Sequence, residues 1–253
     1  MKKLTAAFMI ISSLLQAQTQ IIAHRGYWKT DPPTTENSIR ALENAQKLGI
    51  YGSEFDIRMT KDGVLVINHD EHHGNMEISG FTYRELSKVK LSNGEKFPKL
   101  KDYLKQGKKD PFTKLIVEIK PAQTKILEDE IVRKVLKEIF RQKLTAQVEY
   151  ISFSLNICKE IKKQQPAAVV QYLNGELSPE ELKALHIDGF DYHWEILAEK
   201  HPDWIARAKE VGLITNSWTV NDPDVFRKLQ EMGIGFVTTN TPDVFKKLLN
   251  DEK

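Results

Sequence analysis

The chain reads as a single α/β domain of the (β/α)8 (TIM) barrel class, and three observations predict it. From Lys114 onward short apolar runs and helical patterns alternate without a break, which is the signature of a parallel sheet wrapped by helices. The apolar runs that can be strands number eight, beginning at Ile21, Gly52, Leu115, Val148, Val169, Ile187, Leu213 and Gly235. The 253 residues match the roughly 250 that a closed barrel of this kind takes. An open doubly wound sheet is the lesser alternative.

The chain begins Met1-Lys2-Lys3, runs apolar through Ala6–Ile11 and Leu14-Leu15, and exits at Gln16-Ala17-Gln18. A short positive start, an apolar centre and a small-residue exit predict a secretory signal peptide over residues 1–17, cut after Ala17, and hence an exported, periplasmic or secreted protein with its one domain over 18–253. The apolar run is short for a membrane span. Cys158 is the only cysteine, so no intramolecular disulfide forms; with Leu155 and Ile161 it falls on an apolar helix face and reads as core. Lys and Arg total 37 against 35 Asp and Glu, and loss of Lys2 and Lys3 brings the two to balance. That argues against bulk attraction to nucleic acid or to an anionic membrane. The substrate is then a small molecule held by a few placed charges, with no stable membrane association; oligomeric state is not legible.

In chain order, Ile21–His24 is a short strand ending in His24-Arg25-Gly26. A polar loop leads to Thr35-Glu36-Asn37-Ser38, which offers caps for a helix whose buried face is Ile39, Leu42, Ala45 and Leu48 and which Gly49 ends. Residues 54–70 read as two antiparallel strands joined by a tight turn at Thr60–Gly63, since a parallel crossover needs a dozen residues or more. A turn centred between Lys61 and Asp62 sets Asp56 opposite Ile67 and Glu54 opposite His69. Residues 71–110 read as an insertion with short helices near Tyr83–Leu86 and Leu100–Gln106; a long helix after the second strand is missing there. Helices follow over Ile126–Phe140, Leu155–Lys163, from the Ser178-Pro179 cap, over Asp203–Val211, and from Asp222-Pro223 and Thr241-Pro242. The lysines of 159–163 read as a solvated face.

In such a barrel functional side chains stand at the C-terminal strand ends. Those ends carry His24-Arg25, Glu54 and Asp56, Glu118 and Lys120, Ser152-Phe153, Gln171, Tyr192-His193, Trp218 and Thr238 to Asn240. Glu54 and Asp56 are two apart and share a face, as do Glu118 and Lys120. Three buried carboxylates repel unless a cation joins them, and hard oxygen donors suit Mg²⁺ or Ca²⁺; salt bridges to Arg25, Arg58 and Lys120 are the plainer alternative. With no Cys/His cluster, zinc is disfavoured. His24 and His69 can serve as base and acid on opposite sides of a reacting centre, and Arg25 and Lys120 can hold an anionic oxygen. Together these suit a phosphodiester. Trp218, with Tyr192, Phe153 and Tyr27 as further candidates, supplies the wall of a substrate pocket. His72 and His73 resemble a ligand pair but lie in a polar loop.

The series His24-Arg25-Gly26, Glu36-Asn37-Ser38, Glu54-x-Asp56, His69-Asp70, Glu118-Ile-Lys120 and Trp218-Thr-Val-Asn221 strongly resembles the glycerophosphodiester phosphodiesterases, over about Ile21 to Asp243. The resemblance implies a divalent ion on Glu54, Asp56 and Glu118, His24 and His69 as acid/base pair, Arg25 and Lys120 on the phosphate, and Trp218 at the glycerol end. It implies sn-glycerol 3-phosphate and an alcohol as products, one route being attack by the glycerol 2-hydroxyl through a cyclic phosphate. The chain departs from the family pattern in three places. Glu71-His-His-Gly-Asn75 stands where an Arg-Thr pair is usual after His-Asp. Thr239-Asn240 replaces Thr-Asp, and Thr35-Glu-Asn-Ser38 replaces Pro-Glu-Asn-Thr. A phospholipase on the same barrel, phospholipase D-like or phosphoinositide-cleaving, needs an apolar or basic membrane rim, and residues 71–110 offer no long apolar run. A non-catalytic phosphodiester-binding protein would lack one of the histidines, and both are present.

Overall fold

A computed structural model describes residues 18–251; the leader expected over 1–17 lies outside them. Eight parallel strands form the barrel: β1 (Gln20–Ala23), β2 (Gly52–Met59), β3 (Lys114–Ile119), β4 (Val148–Ser152), β5 (Val170–Tyr172), β6 (Gly189–His193), β7 (Ile214–Trp218) and β8 (Phe236–Thr239). Each pairs with its successor, β8 returns to β1 over four residues, and β1 meets β2 only through Ile22↔Gly52 and Ala23↔Ser53, which closes the ring. The helices are α1 (Ile39–Leu48), α2 (Tyr83–Leu86), α3 (Leu100–Gly107), α4 (Lys125–Gln142), α5 (Leu155–Gln164), α6 (Pro179–Ala184), α7 (Trp204–Glu210), α8 (Pro223–Glu231) and α9 (Pro242–Asp251).

Local chemistry sets the element ends. Ser38 Oγ accepts the Ala41 N–H at 3.0 Å and starts α1, and Gly49, left-handed at φ 63°, ends it. Thr124 caps α4. Ser178 and Glu181 form a reciprocal capping box ahead of Pro179 on α6. Two apolar layers result. Phe55, Ile57, Val117, Ile119, Phe190 and Tyr192 face outward under the helices. Ile22, Ile116, Ile151 and Leu173 fill the barrel interior, with Tyr51, Phe153, Trp218 and Phe236 beside them.

The return strand of the hairpin, Leu65–Ile67, pairs antiparallel with β2, but one residue off the expected register: Ile57 faces Ile67, and Asp56 O accepts the Asn68 N–H at 3.0 Å. The loop itself causes the shift. Thr60 N–H donates to Val64 O at 3.0 Å, and Thr60 Oγ1 donates to Asp62 Oδ1 while accepting the Val64 N–H. Closure on Thr60 and Val64 leaves three residues in the tip and centres the turn on Asp62. His69 therefore reaches the site from the loop beyond the ladder, not from a position opposite Glu54.

The insertion has its own small core of Val66, Ile78, Leu86 and Phe97. His73 is buried in it, stacked 4.0 Å from Phe97 with Nε2 bonded to Val89 O, while His72 is exposed; no ligand pair forms. α3 packs against both α1 and α4 and buries Leu100, Tyr103 and Leu104. It thereby stands where the long helix after β2 was missing.

Candidate active site

The alternation that turns Phe55 and Ile57 outward turns Glu54 and Asp56 inward, and β3 does the same with Glu118 and Lys120. All four side chains are buried. One oxygen from each of Glu54, Asp56 and Glu118 lies within 4.8 Å of the others. Lys120 Nζ sits between two of them, 2.8 Å from Asp56 Oδ1 and 2.7 Å from Glu118 Oε1. The salt bridge and the acidic cluster anticipated as alternatives thus coexist.

Loop residues lock this arrangement. Asn37 grips Asp56 twice: Nδ2 donates to Oδ2 at 2.7 Å, and Oδ1 accepts the Asp56 backbone N–H at 3.1 Å. Arg25 donates its backbone N–H to Glu54 Oε2 at 2.7 Å, its guanidinium to Glu36 Oε1 at 2.9 Å, and brings Nε to 3.8 Å from Asp56 Oδ2. Arg25 and Asn37 both hold left-handed backbone, φ 57° and 58°, a conformation that non-glycine residues keep only where the surroundings impose it.

The electrostatics show a site short of positive charge. Burial, then the charges of Asp56 and Glu118, push the Glu54 carboxyl well above its ordinary range. Burial and then Asp56 push Glu118 up to about 7. Burial would raise Asp56 too, but Lys120, His69 and Asn37 outweigh it and hold it down to about 2. Glu54 Oε1 is buried with no hydrogen-bond partner among the described residues. An orphaned carboxylate oxygen within reach of two further carboxylates fits a hard divalent cation, so this set could hold Mg²⁺ or Ca²⁺.

The two histidines have different partners. His24 Nδ1 lies 2.8 Å from Asn240 Oδ1; burial, then the Arg25 charge, lower it to about 4. His69 Nδ1 lies 2.8 Å from Asp70 Oδ1, and Arg58 Nε holds the His69 carbonyl at 2.9 Å. The aromatic wall is Phe153 and Trp218, edge to face at 5.5 Å, with Lys120 Nζ 6.0 Å from the Phe153 ring. Trp218 Nε1 donates to Asp191 O at 3.0 Å, which fixes the indole.

One expected wall residue stands elsewhere. Tyr192 is fully buried in the outer layer, stacked on Phe190 at 4.8 Å, with its hydroxyl donated to Leu177 O; strand parity turns it away from the interior. Its neighbour His193 takes the mouth position, 5.2 Å from Trp218. Tyr27 is half-buried, its hydroxyl bonded to Asp243 at the start of α9. Asn37 stood in the sequence as part of a helix start and of the Glu36-Asn37-Ser38 motif, and Asn240 as a strand-end residue and a departure from a family pattern, without a role for either. Asp191 was not singled out at all, yet it is buried with no hydrogen-bond partner for either oxygen among the described residues, and burial and then Glu118 push its carboxyl well up. The alternation Phe190/Tyr192 against Asp191/His193 was the available signal for Asp191 and His193.

Comparison with known proteins agrees with this geometry. The sequence pattern of the Glycerophosphoryl diester phosphodiesterase family matches residues 24–244. The glycerophosphodiester phosphodiesterase of Caldanaerobacter subterraneus subsp. tengcongensis is 29% identical over 240 residues, covering 88% of this chain and 94% of that one. The crystal structure of a glycerophosphodiester phosphodiesterase from Parabacteroides distasonis is 44% identical, with a TM-score of 0.91 over 93% of this chain and 98% of the other. An Oleispira antarctica phosphodiesterase, solved with the product sn-glycerol-3-phosphate, shares the fold at a TM-score of 0.81 and 21% identity, over 92% of this chain and 97% of that one. With its strand-end motifs gathered at one mouth and the match running through nearly the whole described barrel, this chain belongs to the glycerophosphoryl diester phosphodiesterase family.

Proposed function

We propose that the protein hydrolyses glycerophosphodiesters to sn-glycerol 3-phosphate and an alcohol, with His24 and His69 moving the protons. The observation that carries the reading is the meeting of Glu54, Asp56 and Glu118 within 4.8 Å beside Lys120 and two histidines whose Nδ1 atoms are both engaged. Engagement at Nδ1 leaves each Nε2 for a substrate.

Arg25 and Lys120 bind the non-bridging phosphate oxygens and orient the phosphorus. A divalent ion on Glu54, Asp56 and Glu118, Mg²⁺ or Ca²⁺, would supply Lewis-acid withdrawal of charge from the phosphoryl group. One histidine takes the proton of the attacking glycerol 2-hydroxyl, and the other gives a proton to the leaving alkoxide. Water then opens the cyclic phosphate at phosphorus with the proton transfers reversed, leaving sn-glycerol 3-phosphate. Trp218 and Phe153 exclude water along the side that receives glycerol. The leader over residues 1–17 supports export, so we place this chemistry in the periplasm or outside the cell; N-terminal sequencing of mature protein from a fractionated host checks the cut after Ala17.

Purified protein is assayed on glycerophosphocholine and glycerophosphoethanolamine, with and without chelator. Chelation abolishes turnover, and His24→Ala lowers kcat by on the order of 10²- to 10⁴-fold. Turnover indifferent to chelator or to His24→Ala would overturn the mechanism.

A further inference from the structure

His24 is tied to the end of β8 at two points. Its backbone N–H donates to Thr239 O at 2.8 Å, and its ring Nδ1 meets Asn240 Oδ1 at 2.8 Å. An amide oxygen can only accept, so the proton of that bond belongs to Nδ1. A neutral imidazole then carries a bare lone pair on Nε2.

Asn240 is itself seated. Its backbone N–H donates to Asn221 Oδ1 at 2.9 Å, and the same oxygen accepts Thr239 Oγ1 at 3.3 Å. Thr239 Oγ1 also accepts the Thr241 N–H at 3.1 Å. Asn221, in the loop between β7 and α8, therefore sets where the Asn240 side chain starts. The contrast with His69 is in the partner: the Asp70 carboxylate stands at its Nδ1, where His24 has a neutral amide oxygen. The charged or titratable groups that act on His24 are Arg25, Asp56 and His69.

We infer that Asn240 is a positioning residue that fixes the Nδ1–H tautomer of His24, with Nε2 presented to take the proton of the attacking hydroxyl; this rests on the catalytic reading of His24 given above. Asn221 supports it from behind. His69, on its carboxylate, is then the partner that gives a proton to the leaving alcohol.

The test uses the whole mature protein with Mg²⁺ present and glycerophosphocholine as substrate. Asn240→Leu keeps the size and removes the acceptor; kcat falls by on the order of 10²-fold while KM stays within about twofold, since wrong-tautomer losses appear in the chemical step. Asn240→Asp restores an acceptor and recovers kcat to within about tenfold of the parent. Its carboxylate stabilises the imidazolium, so the acidic limb of the pH profile moves to higher pH. Nitrogen NMR of imidazole-labelled protein reads the tautomer directly: His24 is protonated at Nδ1 in the parent, and this preference is lost in Asn240→Leu.

An Nε2–H tautomer in the parent, an unchanged kcat in Asn240→Leu, or an Asn240→Asp variant no better than Asn240→Leu would each overturn the assignment. The NMR measurement needs no turnover. A parent protein inactive on every glycerophosphodiester would therefore remove the catalytic reading, while the tautomer itself would still be decided.

Discussion

Glu54 divides its two oxygens between opposite fates. Oε2 accepts the Arg25 N–H, and Oε1 is buried without a hydrogen-bond partner among the described residues. With Glu118 raised from its ordinary 4.5 to about 7 and Glu54 also raised, these carboxyls bind protons more tightly in the cation-free fold than in the unfolded chain. Such groups stabilise the fold fully below their unfolded value, and that contribution is lost as pH climbs through the folded value. The carboxyls' contribution to the stability of chelated protein should therefore fall as pH rises from about 4.5 to about 7. It is opposed by His24, whose lowering from 6.5 to about 4 works the other way. The gain in Tm on adding Mg²⁺ should grow over the same window. Thermal melts across that range, with chelator and with Mg²⁺, check the sign. Asn37 gives a second expectation. Removing its double grip on Asp56 in Asn37→Ala should weaken divalent-ion affinity by about 10–100-fold, read by titration calorimetry, while the Ser38 cap still starts α1. The three carboxylates were legible in the sequence because strand alternation alone brings them to one side. Asn240 was not, because its partner lies 216 residues away and spacing says nothing about contacts across a closing barrel.

Gly26 shows why the elements meet where they do. It holds φ 79°, and a Cβ there would come within 2.7 Å of Ala41 Cβ and 2.8 Å of the Ala41 carbonyl carbon. The end of β1 is thus pressed onto α1, which the Tyr27 N–H to Ala41 O bond of 2.9 Å confirms. Gly26→Ala should destabilise by about 2–3 kcal/mol, seen as a lower urea midpoint at unchanged slope. Element positions were well legible: Ser38, Gly49, Ser178-Pro179 and Asp222-Pro223 mark their boundaries by capping chemistry that depends on neighbours only. Two things at this scale were not. The hairpin register turned on Thr60 Oγ1 bonding within its own loop, which a count of residues does not reveal. Tyr192 was assigned to the pocket by its nearness to a strand end, when its parity with Phe190 places it under the helices.

At the scale of the molecule, the barrel is closed unevenly. Five of the adjacent barrel pairs span three or more residues, β5–β6 and β7–β8 share two pairs each, and β1–β2 likewise shares two. The join is completed by bonds from the loop after β1 to one acidic residue: Arg25 N–H to the Glu54 side chain at 2.7 Å and Gly26 N–H to Glu54 O at 3.1 Å. Eight strand-helix units were readable from alternation; this thin seam was not, because it depends on where strand ends fall once the ring is shut.

That seam has a consequence for how the fold breathes. The residue whose free oxygen could reach a cation also fastens the ring, so occupancy and closure would be coupled at Glu54. Hydrogen–deuterium exchange should show it: the amides of Arg25 and Gly26 trade their protons for deuterium sooner than those inside β3, and a divalent ion slows them selectively. Equal rates with and without the ion would mean that the latch and the binding group act separately.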